Sequence, residues 1–359
     1  MSKELDFPNG DIILAIPTRR YRVYKKTLIA ASDVFANLFA VALPASPDAK
    51  QPKIEKAAEA VPVIDMQDEE KPFTLFLHAL YDHDLDPYIP KLSRKTTNII
   101  SHVLDIVDKY NVSQSAMRAK FLPYMNRDWP ATLAEWDANE AYIRELKISL
   151  EAEQEEPQEL DDRLPEPACT IRFAYTYALS EAAIQHIPEY IPAAFYHLSR
   201  LPPFADTKSP TLNGGDFWDI DGLRTANRSL LRHRDMMCLL HGMNRLRLEA
   251  ARIAFEGFFE EADGDNFASG TEKAAMTNWW RKVGIQRLLG PHDMPDLIGF
   301  LKLLIDALGK DTSSEVSNLL RKETSAEYRQ RMQTYLTKER EEIWNALGYH
   351  FSLYAFFYS

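Results

Sequence analysis

The chain has 359 residues, of which 45% are hydrophobic and 26% charged, and its formal net charge is -11. That balance is the one of an ordinary folded globular protein long enough for two domains. The negative charge repels phosphate backbones and anionic lipid, so no nucleic-acid and no membrane partner is expected. Cys169 and Cys238 are the two cysteines, too few for a disulfide framework.

Residues 1–11 are polar and acidic, without the apolar segment of a secretory signal. No run of about 18 apolar residues occurs, so no transmembrane helix is expected. Both features point to an intracellular place, cytoplasm or nucleus.

Asn9-Gly10 is a turn signal. Ile12 to Ile16 follow as a short apolar run of strand length, and Tyr21 and Val23 alternate with arginines as in a half-buried second strand, so a β-hairpin is expected. From Lys26 the period turns helical. Ser32-Asp33 supplies N-cap chemistry for a second helix with Val34, Phe35, Leu38 and Phe39 on one face. Residues 44–60 read as a solvated loop. Val61, Val63 and Ile64 predict a third strand, which Pro62 favours at a sheet edge. Asp68 is expected to cap a helix whose buried face is Phe73, Phe76, Leu77, Leu80 and Tyr81. Amphipathic helices are expected over 99–110, 115–124 and from Asp128 onward. Residues 151–167 carry eight acids and three prolines, the clearest composition shift in the chain; a solvated helix end and a linker are expected there. Beyond it the pattern is helical throughout: 171–186, 191–201, one long helix over 229–261, then 276–289, 293–308 and 313–347. Residues 202–221, with Gly214-Gly215, read as a loop.

Nothing in this pattern supplies catalytic chemistry. G-x-S-x-G and phosphate-loop motifs are absent, and His78 and His102 read as core or helix-face histidines. Cys238 and His241, with His233, are too few for zinc, which takes about four converging ligands, so a buried cysteine beside surface histidines is expected. Asp263-Gly264-Asp265-Asn266 reads as a helix-ending turn and not as a calcium loop. Arg224, Arg228, Arg232, Arg234, Arg245, Arg247 and Arg252 crowd one helix and suit either an acidic partner or local ion pairs, the latter expected. The aromatic segment 349–359 is expected to fold back on the helical region. The chain is thus expected to be no enzyme, with no catalytic residue, no metal and no cofactor.

The order strand, strand, helical hairpin, strand, helix resembles the BTB/POZ domain family. Gly10-Asp11-Ile12 is similar to its opening strand, and Tyr21-Arg22-Val23-Tyr24-Lys25 to its second. Leu28, Ala31-Ser32, Val34-Phe35 and Leu38-Phe39 are similar to its helical hairpin. Phe73, Leu77 and Tyr81, then Ile106, Asp108-Lys109-Tyr110 and Val112, are similar to the helices that follow. The region after it, with Ile191-Pro192-Ala193-Ala194-Phe195-Tyr196-His197, resembles the helical tails of fungal BTB-bearing proteins. Three departures stand out. Tyr24 occupies the usual histidine position, which removes a buried pairing with Asp11. Ten residues precede Asp11, which leaves no room for the extra N-terminal strand and helix of strand-exchanged homodimers. Leu43-Pro44-Ala45 lacks the acid of the cullin-docking element.

The expected fold class is α+β: a BTB/POZ-like interaction domain at 6–125, a helix and acidic linker at 126–167, and an all-helical domain at 168–350. The resemblance implies a non-enzymatic protein–protein interaction module, a self-associating scaffold or regulator (a homodimer or other homo-oligomer). The alternative it implies is a substrate adaptor bound to a cullin scaffold. It places the contact residues at Phe7, Ile12, Lys26 and Ile29.

Overall fold

Ile12 to Ile16 form β1 (Ile12–Ile16), antiparallel to β2 (Arg19–Val23) and parallel to β3 (Val63–Asp65). The strand order is β2-β1-β3, so β3 sits at an edge as Pro62 requires; the Pro62 carbonyl accepts from the Ile13 amide at 2.8 Å. Leu14 pairs with Tyr21 on one side and Ile64 on the other, and all three are buried. The computed structural model describes residues 5–42, 61–153, 164–178, 187–201, 226–264, 268–290, 296–309 and 320–353. The expected loops at 44–60 and 202–221, the acidic run 154–163, Arg224, and Asp265-Asn266 lie outside them. The chain is mostly helical with this one small sheet, an α+β arrangement. Among the described residues no helix is long and apolar enough to cross a membrane.

The chain divides into two units, Met1–Asp128 and Trp129–Ser359. The first adds five helices to the sheet: α1 (Lys25–Ala31), α2 (Asp33–Ala42), α3 (Glu70–Leu80), α4 (Thr96–Lys109) and α5 (Gln114–Asp128). α5 outruns its expected end near 124 and passes through Pro123. Proline removes one amide donor, but Met117, Phe121 and Met125 recur every fourth residue and all are buried, so the apolar face carries the helix past it. The side chain of Asp128, at its end, accepts from the Leu92 amide at 2.9 Å. That bond holds Leu92 at φ 52, a left-handed conformation in which a leucine is strained.

The second unit is helical among the described residues. α6 (Leu133–Glu153) starts after Trp129-Pro130, not at it, because Thr132 caps it: its hydroxyl accepts from the Glu135 amide at 3.3 Å and donates to the Glu135 carboxylate at 2.7 Å. α7 (Pro167–Phe173) passes into a π-helical turn at Ala174–Ala178. Glu166, counted in the sequence with the solvated acids, is instead buried. Its carboxylate accepts from the amides of Ala168, Cys169 and Asn227, so it caps α7 and ties down a second segment. α8 (Tyr190–Arg200) follows. The single long helix expected over 229–261 begins later, as α9 (His233–Arg252), where Asp235 accepts from the Arg232 amide at 2.9 Å. It continues through a π turn at Ile253–Gly257 into α10 (Phe258–Gly264). α11 (Gly270–Trp279), a π turn at Trp280–Gly284 and α12 (Ile285–Leu289) run on as one element. At that turn the Trp280 ring stacks on Phe258 at 3.7 Å and lies where a side chain at Gly284 would be. α13 (Leu297–Gly309), α14 (Ala326–Asn345) and α15 (Leu347–His350) complete the unit.

The centre of this unit is ionic. Arg200 of α8 is buried. It reaches Glu140 of α6 at 3.0 Å, Asp296 before α13 at 3.1 Å and the His197 ring nitrogen at 2.9 Å. Its guanidinium lies 4.8 Å from the Trp136 ring. Asp296 also accepts from the Tyr196 hydroxyl at 2.5 Å and the Gly299 amide at 3.0 Å. Beside it Arg340 of α14 pairs with Asp137 of α6 at 2.5 Å and donates to the Ile298 carbonyl at 2.8 Å.

The aromatic segment from Tyr349 does fold back where it is described. Phe351 and Leu353 are fully buried, and Phe351 lies 5.5 Å from Phe195. α9 admits it through Gly242, where an added Cβ would lie 1.9 Å from the Phe351 ring. Gly242→Ala is therefore expected to destabilise the chain by roughly 1–3 kcal/mol. Combining it with Phe351→Leu should cost less than the sum of the two changes; urea unfolding of the four proteins measures both.

Next to it His350 is buried, and burial lowers its pKa, with Arg245 and His241 adding to the shift and Glu249 opposing it. As pH falls through the unfolded value of about 6.5, the unfolded chain takes up a proton that the folded chain refuses, so stability drops. Unfolding midpoints measured from pH 7.5 to 5 should fall, and His350→Gln should flatten part of the slope.

Candidate interaction face

Gly10 lets the chain enter β1 close against β2, where Arg22 Nε donates to the Gly10 carbonyl at 2.9 Å and an added Cβ would crowd the Arg22 side chain. Asp11 and Tyr24 then meet at the start of α1. With Tyr24 at the position where the resemblance has a histidine, Asp11 bonds to backbone instead: its Oδ1 accepts from the Lys25 amide at 2.6 Å and so serves the first residue of α1. Tyr24 contributes its backbone, not its hydroxyl. Its amide donates to the Tyr81 hydroxyl, which in turn donates to the Tyr24 carbonyl, both at 3.0 Å. Burial pushes the Tyr81 hydroxyl up to about 12, so it stays protonated and keeps both bonds at neutral pH. The Phe7 ring closes over this clamp, 4.9 Å from Tyr24 and 5.2 Å from Tyr81.

Under α1 and α2 lies an aromatic stack. Phe35 stacks on Tyr110 at 4.5 Å, and Phe39, Phe73 and Phe76 surround the pair. Ser32 fixes the helical hairpin upon it: its hydroxyl accepts from the Phe35 amide at 3.1 Å and donates to the Tyr110 carbonyl. Asp68 was expected to cap α3, but the helix begins at Glu70. Asp68 turns instead to α4, where it accepts from the Tyr110 hydroxyl at 2.5 Å and from Lys109 at 2.7 Å. Two charge-assisted bonds from α4 outbid the amides of one helix end. Burial, with Asp68 next, raises the Tyr110 hydroxyl far above its usual range.

The outward surface of this hairpin is nearly uncharged. Asp33 is the one charged residue between Thr27 and Val41. Ile29, Ala30, Val34, Asn37, Ala40 and Val41 all face solvent, Val41 at 87% exposure. Of the four residues expected to make contacts, Lys26 and Ile29 lie on this face and Phe7 is half-buried against Tyr24 and Tyr81. Ile12 does not join them: it is 1% exposed and belongs to the core under the sheet. Val34, assigned in the sequence to the buried side of α2, is exposed. Val34, Asn37 and Val41 recur at helical spacing, the signal that marks the outer stripe once Phe35 and Phe39 are taken as the inner one.

The other constellations stay apart. Cys238 is buried, and burial pushes its thiol up to about 12, so at neutral pH it carries no nucleophilic thiolate. His233 and His241 are exposed. Among the described residues no cluster of three or more histidine, cysteine or acidic side chains is set to hold a metal ion. His78 is fully buried and its Nδ1 meets that of His83 at 2.9 Å, while His102 is exposed. Much of the arginine series is engaged locally: Arg232 with Asp235 at 3.2 Å, Arg252 with Glu249 at 2.8 Å and with Glu339, Arg245 with the Tyr349 hydroxyl at 3.0 Å. The helical pairs are three residues apart, not four.

The described chain is an α+β protein whose first unit presents a helical-hairpin surface with few charges, Lys26 and Asp33 among its exposed residues. No family model, no curated protein and no solved structure matches it.

Ser32→Ala removes both a helix cap and a buried tie to α4, and is expected to lower stability by about 2 kcal/mol. Chemical denaturation followed by tryptophan-independent circular dichroism reads this, and a loss below about 0.5 kcal/mol would contradict it.

Proposed function

We propose that this chain is a non-enzymatic protein–protein interaction protein that associates with itself, and that its first unit is a BTB/POZ-like domain followed by a helical region of the fungal kind. The observation that carries this reading is the surface of α1 and α2. Ile29, Val34 and Val41 are exposed on a stretch whose one charge is Asp33. Depletion of charge around exposed aliphatic side chains is what distinguishes the centre of an interface from ordinary surface. The element order of the first unit adds support, since two strands, a helical hairpin, a third strand and further helices follow one another as in the resemblance above. The mechanism is burial of apolar surface between copies. The work of the first unit is to present α1 and α2 rigidly, which the Ser32 bonds and the Tyr24–Tyr81 clamp do.

Light scattering across a wide concentration range tests this. The chain is expected to exceed the mass of one copy, and Val34→Asp is expected to weaken association at least tenfold, because it sets a charge in a desolvated contact. A mass of one copy at every concentration overturns the proposal. Capture of a cullin N-terminal region at micromolar concentration, lost in Val34→Asp, would instead favour the adaptor reading.

A further inference from the structure

α3 ends in a way that forces two histidines together. Asp82 takes a left-handed conformation, φ 58. The Asp82 amide donates to the Ala79 carbonyl, and the His83 amide donates to the His78 carbonyl at 3.0 Å, the Schellman ending of a helix. His78 is fully buried and His83 half-buried, and their Nδ1 atoms lie 2.9 Å apart. A bond between two Nδ1 atoms needs one N–H and one lone pair. It forms when both rings are neutral and when one is protonated. It fails when both are protonated, because two N–H groups then face each other. The pair thus tolerates one added proton and not two.

The rings packed on the pair carry no charge. Tyr88 lies 4.5 Å from His78, and Phe7 and Tyr81 lie 6.2 and 6.3 Å from His83. Asp82 is the acid beside His83, and Lys120 of α5 engages it at 2.5 Å. Asp84 and Asp86 of the same loop act on Tyr124 of α5, and Arg127 of α5 lies 4.0 Å from Asp86. A second proton therefore charges a ring out of water, where the acid beside the pair already has a cation. Phe7 and Tyr81 are also the two rings that close on Tyr24 and hold the start of α1. We infer that the His78–His83 pair is a proton-operated pin on this clamp. While the pair holds, His83 backs Phe7 and Tyr81, and α1 stays seated. When both rings are protonated the pin opens, the clamp loosens, and association through α1 and α2 weakens. This regulation rests on the self-association proposed above.

Three full-length chains test it, each carrying His350→Gln so that the other buried histidine does not titrate: one otherwise unchanged, one with His83→Asn and one with His83→Ala. A chelator keeps metal ions off the pair. Asparagine puts an amide where Nδ1 stands, and an amide both donates and accepts, so it keeps a bond to His78 in either protonation state. Alanine leaves no bond at any pH. His83 sits half-buried on a loop, so circular dichroism should show all three chains folded. The first readout is hydrogen exchange of the Tyr24 and His83 amides, corrected for the intrinsic effect of pH. From about pH 7.5 to about pH 5, the window in which imidazole titrates, exchange is expected to rise about tenfold in the first chain. It should stay level in His83→Asn and be fast throughout in His83→Ala. The second readout is light scattering. The dissociation constant should rise about tenfold over the same window in the first chain, stay level in His83→Asn, and be high at every pH in His83→Ala. The expected exchange pattern in a chain of one-copy mass throughout removes the α1–α2 reading and supports the pin. Equal exchange in the first chain and in His83→Asn overturns the inference at any mass. Association of the same strength at both ends of the window also overturns it, and leaves the α1–α2 reading standing.

Discussion

Arg200 is the group around which the helical unit has to be arranged. Moving a guanidinium out of water costs several kcal/mol unless ionised partners are already in place. Here the partners come from two other elements, Glu140 on α6 and Asp296 ahead of α13, with His197 on its own helix. Each of these is useful only when the others are seated. Asp296 is further tied to Tyr196 and to the Gly299 amide in the first turn of α13, so the ion cluster also sets where that helix begins. Arg340 repeats the arrangement one layer away, joining α14 to α6 and to the backbone of α13. Apolar packing would hold four helices together in several registers; a shared, desolvated charge cluster accepts far fewer.

The first unit positions its helical hairpin without such an ion cluster. Its helical hairpin sits on stacked rings and is positioned by neutral or backbone hydrogen bonds: Ser32 to Tyr110, Tyr24 to Tyr81. The outer side of that hairpin exposes Ile29, Val34 and Val41, with Lys26 and Asp33 as its exposed charges.

Period and turn chemistry made the hairpin of strands, the edge position of β3 and the paired helices α1 and α2 legible in the residues themselves. Ser32-Asp33 announced the break between those helices correctly because a cap is a local device. What stayed hidden was every feature decided at a distance. Asp68 has the composition of a cap, yet Lys109 and Tyr110, some forty residues on, claim it. Glu166 lies in a stretch of acids and differs from them only through the amides that its fold places around it. Ile12 and Val34 show the limit of reading side from pattern: in a run of five apolar residues, or on a helix whose two faces are both apolar, the period does not say which side is covered. The face on α1 and α2 was therefore visible as a place and not as a set of residues.

The contacts between α6 and α14 set an order of events during synthesis. Asp137 and Arg340 are 203 residues apart, and Trp344 donates to the Ala131 carbonyl across 213. At about 5–20 residues per second, α6 leaves the ribosome roughly 10–40 seconds before the helix that completes its surroundings. During that interval Asp137 lacks Arg340 and the Ala131 carbonyl lacks Trp344, while the first unit, residues 1–128, has time to fold. The nascent chain is thus a finished domain trailing an unfinished one, and the unfinished part is the stretch a chaperone would meet.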